Sequence, residues 1–163
     1  MSLTADILAT YRAPDRTVGR LIASGPREDR SLAMLMGAAL LIFVARAPVL
    51  ARASALDPSV PLQAKLGISL FALLFMVPLL AYAVAGLLHL GARALGRTGE
   101  GWRARIALFW SLLAIAPAML GQGLIEAFAG NGALSQITGL VVFGLFLWFL
   151  ARGLGAGYGG AAG

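Results

Sequence analysis

The chain has 163 residues, about one domain's worth, of which 60% are hydrophobic and only 12% charged, whereas soluble domains are about half apolar and about a quarter charged. That excludes an ordinary water-soluble fold, because no aqueous core of this size hides so much apolar surface. The net charge of +6 comes almost wholly from arginine, but the arginines flank apolar runs, so membrane orientation and lipid headgroups account for them and nucleic acid does not.

Residues 1–30 do not read as a signal peptide, since Asp6, Asp15, Glu28 and Asp29 interrupt them and no apolar core develops. They read as short amphipathic surface helices. Leu3, Ile7, Leu8 and Tyr11 fall on one helical face, and after Pro14 so do Val18, Leu21 and Ile22, while Arg12, Arg16 and Arg20 recur every four residues. Two placements fit this pattern: a helix lying in the membrane interface, or a solvated cap packed on its own bundle. Gly25-Pro26 ends the segment.

The first span covers about 31–51, SLAMLMGAALLIFVARAPVLA, with Arg46 in its last third and Pro48 close behind. An arginine near a helix end snorkels to the headgroups, which places Arg46 close to the exit interface; the functional alternative is a cation facing a watery cavity. A short polar connection follows, with Arg52, Asp57, Pro58, Pro61 and Lys65. The second span, 66–90, is a single tilted helix, since 25 residues rise only about 37 Å at about 1.5 Å each. Pro78 at its centre predicts a kink, because the ring removes a donor and displaces the carbonyl one turn earlier.

The connection 91–105, GARALGRTGEGWRAR, holds four arginines. The third span, 106–128, is IALFWSLLAIAPAMLGQGLIEAF, with Pro117 near its middle and Glu126 near its end, and the chain is organised around it. Its proline lies at a depth similar to that of Pro78. After a Gly-Asn-Gly loop at 130–132 comes the last span, 133–151, and then residues 152–163, read as a flexible glycine-rich tail. Ala81/Ala85, Ala114/Ala118 and Ser135/Gly139 are small pairs four apart, a spacing that lets helices approach closely. With four spans, the side carrying both termini holds ten of the basic residues and the other side three, so the positive-inside rule puts both termini in the cytoplasm.

Chemistry is sparse. The polar residues within or beside the spans are Arg46, Tyr82, His89, Gln122, Glu126 and Gln136. One histidine and no cysteine leave no bis-histidine haem, thiolate metal site or cysteine nucleophile within one chain. His89 would have to meet Ser69, Ser111 or Ser135 to form a dyad, and none of these lies in a nucleophile motif. No catalytic, cofactor or metal residue is assigned. Gln122 and Glu126 are the best functional pair, four apart on one helical face, with a carboxylate that serves either as an ion or proton site or simply as a reach to the outer headgroups. The preferred structural expectation is an ion pair between Glu126 and Arg46.

The stretches TYRAPDRTVGRLIASGPREDRSLAMLM (10–36), ARAPVLAR (45–52), LDPSVPL (56–62), VPLLAYAVAGLLHL (77–90) and ARIALFWSLLAIAP (104–117) resemble a bacterial Yip1 family protein of the short alphaproteobacterial type. The resemblance implies an all-helical multi-pass protein, and its eukaryotic members are linked to vesicle traffic and small GTPase partners. It implies no catalytic residue. The chain departs from the family in showing four clear spans where five are usual, with a fifth or re-entrant segment left open.

The expected fold is therefore an all-α integral membrane bundle with four transmembrane helices behind an N-terminal amphipathic segment. The expected role is non-enzymatic, through association with membrane lipids, with other integral membrane proteins or with itself. Two alternatives stand beside it: a small transporter or channel with a polar path at Arg46, Gln122 and Glu126 between kinked helices, and an accessory subunit of a larger membrane complex.

Overall fold

A computed structural model describes residues 3–159, which form six helices and, among the described residues, no strand. They are α1 (Leu3–Thr10), α2 (Pro14–Ala23), α3 (Glu28–Leu56), α4 (Leu62–Ala94), α5 (Gly101–Ala129) and α6 (Ala133–Tyr158). The last four are apolar enough to cross a membrane, and the shortest has 26 residues, about 39 Å of helix against roughly 30 Å of hydrocarbon. Each extends past the apolar run that defines its span. Charged and small residues at the ends, such as Glu28–Arg30 and Gly101–Arg105, continue the backbone ladder into the interface.

α5 is the axis of the bundle. Half of its apolar window is buried inside the protein, against about a tenth for α4 and α6. Ile106 to Ser111 are buried without a break, so helices cover this stretch on every side. α3 runs parallel to α5, with Glu28 ion-paired to Arg105 at one end and Arg52 bonded to the carbonyls of Ala127 and Phe128 at the other. Between those ties the backbones come together. A side chain on Gly123 would run into the Ala45 carbonyl oxygen, and one on Gly37 would contact Leu113. α4 and α6 run antiparallel to α5, with Tyr82 edge-on to Phe109 at 5.0 Å and the bare faces of Gly153 and Gly157 against Ala107 and Arg103.

The prolines within the spans sit in different local backbones. α4 opens into a π-turn at Ala72–Met76 directly before Pro78, where the ring crowds the carbonyl four residues back and the wider turn relieves it. α3 continues through Pro48 to Leu56, and α5 through Pro117, whose ring is exposed. Of the small pairs, Ala81 and Ala85 are the buried residues of α4, and Ala114 and Ser135 are buried too.

The N-terminal segment is a cap packed on the bundle. Ile7, Val18 and Leu21 are buried, Tyr11 sits edge-on to Phe149 at 5.0 Å, and the Trp110 indole donates to the Thr10 hydroxyl at 3.0 Å in a buried contact. Arg12, Arg16 and Arg20 face outward, and Arg20 pairs with Asp6 across the two short helices at 3.0 Å. The expectation of a flexible tail over 152–163 is corrected for its first part. α6 remains helical to Tyr158, with Gly153, Gly157 and Tyr158 buried, because the missing side chains admit Val18 and Ile22 of α2. Residues 160–163 lie outside the described residues.

The Gly123 contact generates a direct test. Gly123→Ala should destabilise the detergent-solubilised protein by about 1–3 kcal/mol through overpacking. Gly121→Ala, whose added carbon meets nothing within 4 Å, should leave the melting temperature within a degree or two of the wild type.

Candidate functional site

The two ends of the bundle carry its polar chemistry. At the end holding the 57–61 and 130–132 connections, α5 stops at Gly130, whose φ of +78° suits glycine and whose N–H bonds the Glu126 carbonyl at 2.9 Å. The Arg52 guanidinium lies against this turn, donating at 2.8 Å to Ala127 and 2.9 Å to Phe128. A cation there satisfies carbonyls that have no helical partner and faces the negative end of the helix dipole. A side chain at Gly130 would crowd that guanidinium. On the connection nearby, the Ser59 hydroxyl and backbone N–H hold the Asp57 carboxyl below the usual carboxylate range.

Gln122 and Glu126 come together as their spacing predicts: the Gln122 amide donates to the Glu126 carboxylate at 3.1 Å, both are half-buried, and Gln122 lies beside Gly139 of α6. Arg46 is not part of this group. Among the described residues no ion pair joins Arg46 to Glu126, and Arg46 is exposed. The reason is angular. Ala45 turns its carbonyl toward α5, and the next residue on a helix points about 100° away. Of the residues expected to form a polar path, the structure brings Gln122 and Glu126 together and pairs Arg46 with neither. Arg46 lies six residues, about 9 Å, before Arg52, within reach of the interface for a snorkelling side chain.

At the opposite, arginine-rich end, the single histidine is engaged. His89 Nδ1 and the Tyr158 hydroxyl are hydrogen-bonded at 2.8 Å, and Tyr158 also reaches the Glu100 carbonyl at 3.4 Å. Arg103 donates to the Gly157 carbonyl at 3.1 Å, and the Trp102 indole donates to Glu100. These contacts fasten the last turn of α6 to α4 and to the start of α5. Tyr158 and Gly157 fall in the segment read from sequence as a tail. The signal that marks them is the Gly153/Gly157 spacing of four, the same small-residue spacing seen in the other spans.

Beside this fastening, α4 and α6 border a cavity of about 490 Å³, lined chiefly by Val84, Leu88, Leu95, Ala151, Leu154 and Gly155, with Arg97 and Tyr158 at its polar edge. Among the described residues no three histidine or acidic side chains gather at metal-binding distance. No known family, curated protein or solved structure matches the chain.

The separation of Arg46 from Glu126 has a measurable consequence. In a double-mutant cycle on thermal stability, Arg46→Glu and Glu126→Arg should add within about 0.5 kcal/mol. Rescue of one reversal by the other would show a pairing that this arrangement does not contain.

Proposed function

We propose that the protein is a non-enzymatic multi-pass protein of the bacterial cytoplasmic membrane, of the Yip1 type, acting through association with lipid or with other membrane proteins, including copies of itself. The observation that carries this reading is the unequal burial of its spans. α4 and α6 leave large apolar side chains uncovered, among them Ile68, Phe71 and Phe75 on α4 and Ile137, Leu140 and Phe143 on α6, so two of four spans offer their surface to whatever surrounds them. The polar groups support a structural role: Arg52, Arg103, Arg105, His89 and Tyr158 are engaged in fastening helix ends.

The arginine distribution supports an orientation with both termini in the cytoplasm. A chain with no cysteine makes that orientation easy to test. In intact spheroplasts a membrane-impermeant maleimide should label Ser59→Cys and leave Thr98→Cys unlabelled until the cells are opened; the reverse pattern would overturn the topology. Mild extraction of the tagged protein from its native membrane, followed by sizing and identification of what travels with it, tests the association itself. The expected product is a particle carrying bound phospholipid, a stoichiometric membrane partner or a second copy. A bare monomer whose reconstitution confers ion flux abolished by Glu126→Gln would contradict the proposal and restore the transporter alternative.

A further inference from the structure

The α4–α6 cavity joins two chemistries in one cleft. Its inner part, from Val84 to Leu88 and across to Ala151 and Leu154, is hydrocarbon-like, and its outer edge ends at Arg97. It stays open because Gly91 and Gly155 stand on facing walls without side chains, and a carbon added to either would meet nothing within 4 Å. The backbone fixes where Arg97 lies. Gly96, at φ +72°, turns the chain back on itself, with its N–H bonded to the Arg93 carbonyl at 2.9 Å and the Arg97 N–H bonded to the Ala92 carbonyl at 3.0 Å. This paired 5→2 and 6→1 closure is a Schellman turn. It returns Arg97 to the last turn of α4, beside the cleft, instead of letting it run into the loop.

Arg97 is exposed at that edge and, like most of the basic residues, forms no ion pair with a carboxylate among the described residues. What distinguishes it is its place at the end of the apolar cleft. An apolar cleft within the membrane, ending at an unpaired arginine at the interface, is complementary to a molecule with an acyl chain and an anionic head. Basic pockets between spans take anionic headgroups by the same logic.

We propose that this cleft binds one anionic phospholipid, with an acyl chain along the Val84–Leu88 and Leu154 walls and the phosphate against Arg97. The proposal rests on the reading that the protein works through association with lipid, and it names the lipid class and the place. The test uses purified full-length protein in phosphatidylcholine liposomes, with spin-labelled phosphatidylglycerol or spin-labelled phosphatidylcholine as the probe. Wild type should immobilise the glycerol lipid several-fold more strongly than the choline lipid at low salt. Arg97→Gln should reduce that preference about fivefold, the effect of one interfacial arginine, without changing the choline lipid. Gly155→Leu, which fills the cleft from the α6 wall, should abolish the preference while circular dichroism stays unchanged. Gly91→Leu does the same from the α4 wall and replaces it if the first variant does not fold.

A wild type without preference, or a preference that survives both leucine variants, would overturn the proposal. The second result would assign the attraction to diffuse surface charge. Cross-linking of a photoreactive group at Leu154 to a partner protein instead of lipid in native membranes would overturn it also. In that case a partner recovered by mild extraction would leave the association reading intact, so the two failures are distinguishable.

Discussion

The close approach of α3 to α5 is the constraint on which the other contacts depend. Lipid tails are as apolar as leucine, so burying leucine between helices gains little in a bilayer, and spans associate through tight packing, hydrogen bonds and lipid entropy. Here the tight packing is concentrated where Gly123 faces the Ala45 carbonyl. The ends of the two helices are tied by different chemistry, an exposed ion pair between Glu28 and Arg105 and the Arg52 contacts with Ala127 and Phe128. An exposed pair of that kind contributes about 0–1 kcal/mol, so it sets register more than stability. Because α3 and α5 are parallel, the chain between them must return across the bundle, and α4 does so.

The remaining helices arrange themselves around that pair according to how much they must cover. α1, α2 and the end of α6 enclose the part of α5 around Trp110, where the bond from its indole to Thr10 satisfies a donor that burial would otherwise leave unpaired. α4 and most of α6 cover α5 on one side only and leave their other faces free. A bundle built this way has a shielded axis and two open flanks, and the proposed lipid cleft lies between those flanks.

How much of this was legible in the sequence follows from which physical signals are local. Hydropathy alone locates all four spans, because an unbroken apolar run of about 20 residues is the length that crossing a bilayer demands. The amphipathic pattern puts Leu3, Ile7, Leu8 and Tyr11 on one face and Val18, Leu21 and Ile22 on the next, a pattern that suits a membrane surface or a protein. The contacts with Phe149 and Trp110 make the segment a cap on the bundle, with Ile7, Val18 and Leu21 buried and Leu3 and Leu8 left exposed. Two expectations failed for nonlocal reasons. Gly153 and Gly157 weaken an isolated helix, yet in the bundle their bare faces are what α2 needs. Arg46 and Glu126 share a depth, but depth says nothing of azimuth, and the rotation of α3 is set by Ala45 packing on Gly123. Gln122 and Glu126, one turn apart on a single helix, required no such information and meet as expected. The Schellman turn at Gly96 is a local motif, but its use in placing Arg97 becomes visible only once α6 stands opposite.

The central claim is that α5 is shielded while α4 and α6 present the associating surface. A photo-cross-linking scan in native membranes tests it most directly, with a benzophenone amino acid placed in turn at Phe71, Phe75, Leu140 and Phe143, which are exposed, and at Leu108 and Phe109, which are buried. The account predicts adducts to lipid or to another polypeptide from the first group and only intramolecular adducts from the second. Intermolecular adducts of equal yield from Leu108 and Phe109 would contradict it, because they would put α5 on the outside of the bundle.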